Sequence, residues 1–143
     1  MPHRKIAEVI KGQTLLSADP KMSIREAARK MSAAGVGAIV VVSGGKLVGI
    51  FTERDGLKRV LAADIQPDNV ALEEVMTADP ITIAPDRPLG HALHMMFEGG
   101  FRHVPVVEAG RPVGMVSARD ALGTEMSAFE GELTRREEIN EIL

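Results

Sequence analysis

Apolar residues recur at two periods along the chain, and the switches between them mark its elements. Ile24, Ala27, Ala28 and Met31 fall at i, i+3, i+4 and i+7, one face of a helix. Ser23-Ile24-Arg25-Glu26 at its start has capping-box spacing, in which the hydroxyl accepts a backbone N–H and the Glu reaches back. Gly35 supplies a left-handed end. Gln13 to Ala18, closed by Asp19-Pro20, predicts a short strand before this helix. After it, Ala38 to Val42, the turn Ser43-Gly44-Gly45-Lys46 and Leu47 to Phe51 predict an antiparallel hairpin. Thr52-Glu53-Arg54-Asp55 then opens a second helix carrying Leu57, Val60 and Leu61. The order is strand, helix, strand, strand, helix.

The same order returns further along. A shift of 65 positions aligns Pro20 with Pro85, Ala27 with Ala92, Met31 with Met96, Gly35 with Gly100, Val48-Gly49 with Val113-Gly114 and Arg54-Asp55 with Arg119-Asp120, without a gap. The second repeat therefore predicts a strand at Ile81 to Ile83, a helix around Leu89 to Phe97, a hairpin across Ala109-Gly110 and a helix from Ser117. Between the repeats, Asp64 to Asn69 reads as a polar connection and Ala71 to Met76 as a short helical piece. Beyond Leu122 the apolar residues are Met126, Phe129, Leu133, Ile139 and Ile142, which predicts a helix running past the repeat. Halves of this size bury little core alone, so two β-α-β-β-α units in an α/β (α+β) fold, 1–70 and 71–143 with its helical extension, are expected to pack with pseudo-two-fold symmetry.

Composition narrows the function classes. The chain has 143 residues, 17 basic and 20 acidic side chains, and 45% apolar residues, an ordinary globular balance. Net charge −3 argues against broad phosphate-backbone binding, and four Phe without Trp or Tyr against base-stacking platforms, so no nucleic acid is expected. The apolar run Ala38 to Val42 is far short of a bilayer span, and the basic start, interrupted by Glu8 and Lys11, is no secretory signal. The absence of cysteine removes thiol chemistry. A cytoplasmic protein without membrane partners is the expectation.

Two segments at the fixed offset carry the chemistry: Gly49-Ile50-Phe51-Thr52-Glu53-Arg54-Asp55 and Gly114-Met115-Val116-Ser117-Ala118-Arg119-Asp120. With Phe101-Arg102-His103-Val104-Pro105-Val106, they make the chain resemble the CBS domain, specifically a tandem pair forming a Bateman module, over roughly Glu8 to Leu122. Small stand-alone bacterial proteins of this kind look most similar. The resemblance implies binding of an adenosine-containing ligand (AMP, ADP, ATP, NAD(H) or S-adenosylmethionine) as a regulatory ligand, with no catalytic cofactor. It implies one site around Ile81, Thr82, Phe101, Arg102, His103, Val104, Pro105, Ser117, Arg119 and Asp120 of the second repeat. The other would use Leu16, Val36, Gly37, Ala38, Ile39, Thr52, Arg54 and Asp55 of the first.

The residue types agree independently. A Thr or Ser at a helix N-cap lies beside free N–H groups and the positive dipole end, a place suited to phosphate. The Asp three residues on has acceptor capacity for two ribose hydroxyls, and the apolar strand before it can flank a base. The same spacing also serves as a plain capping box, so capping alone stays open as an alternative. Repeat two carries Arg102-His103 where repeat one has Gly37-Ala38, and a guanidinium can grip phosphate through two parallel hydrogen bonds. The resemblance implies that basic side chains at this point face the ligand's phosphates, so the phosphate is expected at the second-repeat site.

Other signals are bland. His91 and His94 at i, i+3 lack a third ligand and read as a surface pair, so no metal is expected. Gly44-Gly45 is a turn, Gly99-Gly100 a helix end, Met95-Met96 packing, and Arg135-Arg136-Glu137-Glu138 a solvated face. With no metal cluster, Walker loop or nucleophile beside a base, a non-enzymatic sensor is favoured. The alternatives are a dimerisation module with vacant clefts and a nucleotide-acting enzyme. The resemblance implies a homodimer, through a face bearing Val60, Leu61, Leu122 and Met126, and an unidentified effector protein as reader.

Overall fold

In the computed structural model residues 4–142 are described, the side chains of 121, 124–130, 138 and 140–142 lying outside that description. The elements are α1 (Ile6–Ile10), β1 (Ser17–Ala18), α2 (Ile24–Ala34), β2 (Ala38–Ser43), β3 (Lys46–Thr52), α3 (Glu53–Asp55), β4 (Thr77–Ala78), α4 (Leu89–Gly99), β5 (His103–Glu108), β6 (Arg111–Ser117) and α5 (Ala118–Ile142).

The repeat holds residue for residue. β2 and β3 pair from Ala38 with Thr52 to Ser43 with Lys46, and β5 and β6 from His103 with Ser117 to Glu108 with Arg111. Both ladders slip at the same place, between Val41 and Val42 and between Val106 and Val107. Ser23 caps α2 through Glu26 N, and Gly35 and Gly100 close α2 and α4 in the left-handed conformation. Each hairpin with its helix encloses its own core, one built on Ile24, Ala27, Ile39 and Phe51, the other on Leu89, Ala92, Val104 and Val116.

The hairpin tips meet reciprocally. Lys46 Nζ donates to Ala109 O at 2.7 Å, and the Arg111 guanidinium lies over Gly45. Leu47 N donates to Gly110 O at 3.0 Å. Its pseudo-symmetric counterpart cannot form, because position 112 is proline and carries no N–H.

The strands before the helices are shorter than the sequence pattern predicts. Only Ser17–Ala18 of the segment from Gln13 joins β2, in parallel, and only Ile83 of Ile81 to Ile83 bridges to Val106. Gln13, at the start of the first of these segments, is instead turned to the edge of the second sheet. Gln13 Nε2 donates to Met115 O at 3.0 Å and Met115 N donates to Gln13 Oε1 at 2.7 Å. The side-chain amide thus takes the place that the β4 backbone holds against Ile50 in the first repeat. Similarly, the helix after Thr52 is not a plain α-helix. α3 runs into a π-helical stretch, Gly56–Leu61, where Ala62 N donates to Leu57 O at 2.9 Å. Of its apolar residues only Val60 turns into the core, leaving Leu57 and Leu61 exposed.

Two connecting segments complete the cores crosswise in sequence. Leu72, in a single 3-10 turn (Leu72–Glu74) between the repeats, is fully buried in the first core, whereas Ile6 at the chain's start is fully buried in the second. Their backbone bonds correspond: Ile24 N to Val70 O (3.0 Å) matches Leu89 N to Arg4 O (2.7 Å), and Glu73 N to Pro20 O (3.1 Å) matches Ala7 N to Pro85 O (2.9 Å). The start of the chain is therefore packed on the second repeat.

Candidate functional site

Each signature lies where a β-strand ends and a helix begins, so its first N–H groups need an acceptor. Asp55 N donates to Thr52 Oγ1 at 3.2 Å, and Thr52 N donates to Asp55 Oδ2 at 3.0 Å. In the second repeat Asp120 N donates to Ser117 Oγ at 3.1 Å, and Ser117 N donates to Asp120 Oδ2 at 3.2 Å. Both are reciprocal caps. Both caps use one carboxylate oxygen.

The other oxygen differs. Arg59 Nε lies 3.6 Å from Asp55 Oδ1, and its Nη1 donates to the carbonyls of Val75 and Met76 at 3.3 and 3.0 Å. Asp120 Oδ1 makes no hydrogen bond to the described residues. The signature arginines differ as well: Arg54 Nη1 donates to Gly100 O at 2.6 Å, while the Arg119 guanidinium bonds to none of the described residues.

A cleft opens beside each aspartate, of about 880 Å³ at Asp55 and about 780 Å³ at Asp120. Neither is built from one repeat. The first brings Thr52, Arg54 and Asp55 against Ile81, Phe101, Arg102 and His103. The second brings Leu16, Val36, Gly37 and Ala38 against Ser117, Arg119 and Asp120, with Arg102 and His103 again on its wall. Thr82 is exposed and lines neither cleft, while Ile39, Val104 and Pro105 are buried in the sheets. The expected grouping by repeat is therefore exchanged: Ile81 and Phe101 face Asp55, and Leu16, Val36, Gly37 and Ala38 face Asp120, because the two repeats pack against each other.

Residues outside the expected site set also line the clefts. Glu53 lines both clefts, Gln13 and its neighbours line the second, and Arg59 and Lys58 line the first. Glu53 stood inside the signature, and the sign of its departure was visible in its partner position, Ala118. His103 is pushed below its ordinary pKa chiefly by burial, with Arg102 acting the same way and Glu53 and Asp120 against it. No group of three or more metal-ligating side chains gathers among the described residues, and His94 Nε2 lies 3.2 Å from Glu98 Oε1.

Two apolar-walled clefts, each with a capped aspartate and arginines in its lining, make this an internally duplicated module with a small-molecule-sized cleft at each signature. The CBS-domain family model matches residues 7–62 and 72–126, and the chain belongs to the CBS-domain family. It is similar to the CBS domain-containing protein CBSCBSPB2 of Arabidopsis thaliana, 33% identical over 76% of this chain and 20% of that protein. The chain thus spans about a fifth of the length of that relative. A signal-transduction protein with CBS domains from Burkholderia ambifaria MC40-6 superimposes with TM-score 0.80 at 26% identity, covering 87% of this chain and 95% of that one. A CBS domain protein of Pyrobaculum aerophilum complexed with AMP superimposes with TM-score 0.75 at 26% identity, covering 82% of this chain and 89% of that one. The fold is that of a CBS pair with a C-terminal helix.

Proposed function

We propose that this chain is a regulatory sensor that binds adenosine-bearing ligands, AMP, ATP or NAD among them, in the two clefts. Asp120 carries the reading: its Oδ2 ties off the helix while Oδ1 remains available beside a cleft of about 780 Å³. A ribose diol offers two donors to such an oxygen, Leu16 and Val36 give apolar walls for the base, and Arg119 and Arg102 meet a phosphate. AMP bound to the Pyrobaculum structure supports the ligand class. Binding in clefts made from both repeats shifts their packing, by no more than the ligand's differential affinity for the two arrangements. A second copy of the chain covers Leu61 and Leu122, which are 72% and 52% exposed, and a cytoplasmic effector reads the change. No helix among the described residues is long and apolar enough to cross a membrane.

Thermal unfolding with AMP, ATP, NAD and S-adenosylmethionine tests this, together with mass spectrometry of whatever co-purifies. At 100 times its Kd a ligand adds about 2.7 kcal/mol. A clear rise in Tm with at least one of them, lost in Asp120→Ala, is the expected result. No shift with any adenosine compound sinks the proposal and leaves a dimerisation module with vacant clefts.

A further inference from the structure

The side chains around the pseudo-two-fold axis break the symmetry that the backbone keeps. Glu53 N donates to Gly37 O at 3.0 Å and Ala118 N donates to Arg102 O at 2.9 Å, so Gly37 and Arg102 occupy matching places, as do Glu53 and Ala118. One repeat supplies the guanidinium and the other the carboxylate. Arg102, His103 and Glu53 nevertheless line both clefts. A Cβ on Gly37 would lie 3.0 Å from Glu53 Oε1 and 3.4 Å from His103 Cε1, which places all three at the boundary between the clefts.

We propose that Arg102 is a single phosphate-binding residue shared by the two clefts, so that a phosphate bound in one weakens binding of a phosphate in the other. This rests on the reading of the clefts as nucleotide sites and names the residue that couples them. Arg102 is exposed and its guanidinium hydrogen-bonds to none of the described residues, so the side chain is free to turn to either side. The other arginines of the first cleft are committed, Arg54 to the Gly100 carbonyl and Arg59 to Asp55 and two carbonyls. Lys58 belongs to the first cleft alone and Arg119 to the second alone, so neither transmits anything across. Burial lowers the pKa of His103, which disfavours a second cation at the boundary. Glu53 repels a phosphate that arrives there without Arg102 to meet it. A bidentate guanidinium serves one phosphate at a time, and two phosphates drawn to one boundary repel each other, so both effects have the same sign. The coupling is reciprocal, whichever cleft fills first.

Calorimetric titration of AMP and adenosine into the full chain decides the matter, alongside Asp55→Ala and Asp120→Ala, each of which leaves one cleft. The second AMP is expected to bind the wild type about tenfold to a hundredfold more weakly than the weaker isolated cleft, the loss of one charge-assisted contact. Adenosine, lacking phosphate, is expected to fill both clefts at their isolated affinities. Arg102→Ala removes the share of the deficit that comes from competition for the guanidinium and leaves only the repulsion between the phosphates. Gly37→Arg, which supplies the missing guanidinium, tightens the second AMP by a similar factor without moving adenosine, and this pair decides the question even if an aspartate variant fails to fold. AMP filling both wild-type clefts at their isolated affinities overturns the competition, as does a deficit that survives Arg102→Ala undiminished. Failure of either probe to bind at all overturns the nucleotide reading itself.

Discussion

Gly114 and Gly49 are equivalent residues in the middle of β6 and β3, and the same substitution at each is expected to have unequal consequences. A Cβ on Gly114 would lie 2.7 Å from both Cβ and Cγ2 of Ile10, atoms fixed close to the α1 backbone. A Cβ on Gly49 would overlap Met76 Sδ, in the outer part of a flexible side chain, with Cε and Cγ both at 3.0 Å. Distance alone ranks Gly49 as the tighter site, but the cost depends on what can move. Met76 re-orients about three torsions, whereas Ile10 can yield only if α1 shifts off the second core, where Ile6 is fully buried. Overpacking of this kind costs about 1–3 kcal/mol, offset by roughly 0.5–1 kcal/mol from the lower entropy of the unfolded alanine chain. Gly114→Ala is therefore expected to destabilise by about 1–2 kcal/mol, roughly 3–8 °C in Tm, and Gly49→Ala by under about 1 kcal/mol. Urea and thermal unfolding of both variants, with Ile10→Ala and Ile10→Ala/Gly114→Ala closing a double-mutant cycle, measure this. The reasoning is refuted if Gly49→Ala costs as much as Gly114→Ala, or if removing the Ile10 side chain leaves the Gly114→Ala penalty unchanged.

Asp120→Ala is expected to cost about 1 kcal/mol from the lost cap and to abolish the AMP-induced rise in Tm. Asp120→Asn, which keeps an oxygen for Ser117 N, recovers the stability but not the rise. Ala109 holds φ 53°, where its equivalent, Gly44, holds φ 58°. Ala109→Gly is therefore expected to stabilise by about 0.5–1 kcal/mol in chemical unfolding, the left-handed penalty less the glycine's entropy. His103 has a folded pKa below its unfolded value near 6.5, so its contribution to stability is fully present above that value and is lost as pH falls through the folded pKa. His103→Gln should flatten the decline in Tm between about pH 7 and pH 5, and an unchanged decline contradicts the assignment.

The repeat and its elements were legible because their signals are local. The apolar face at Ile24, Ala27 and Met31, the left-handed Gly35 and the hairpin turn at Gly44-Gly45 each act within a few residues, and a constant offset of 65 copies them. What the pattern could not show depends on neighbours distant in sequence. Nothing near Ile6 says that it belongs in a core completed by Ile83 and Val104, and Gln13 reads as a strand residue until Met115 is placed beside it. Residues 4 and 70 hold equivalent roles at an offset of 66, not 65, so the ungapped alignment misses their kinship. The regrouping of site residues has the same origin: Thr52 and Phe101 meet only once the repeats are packed. Of the apolar face expected to join two copies, Val60 is buried, Leu61 and Leu122 are exposed, and the Met126 side chain lies outside the described residues, as do those of Phe129 and Ile142.

Capping and ligand binding exclude each other only if the cap consumes both carboxylate oxygens, and at neither signature does it. The clefts then differ in what stands beside the spare oxygen. At Asp55 a ribose hydroxyl arriving at Oδ1 must share it with Arg59, whose Nε lies 3.6 Å away. That arginine is half exposed, so its hold on the carboxylate is worth no more than about 0.2–1 kcal/mol. Replacing it with a neutral donor, Arg59→Gln, leaves hydrogen-bonding capacity for the Val75 and Met76 carbonyls and frees Oδ1. Adenosine, which has no phosphate to miss the lost charge, is then expected to bind the first cleft up to about fivefold more tightly, while the second cleft is unchanged. AMP should gain less than adenosine, because the same substitution withdraws a cation from the cleft that receives its phosphate. Adenosine affinity that falls in Arg59→Gln would show that Arg59 itself, and not the oxygen it faces, is what the first cleft offers a sugar.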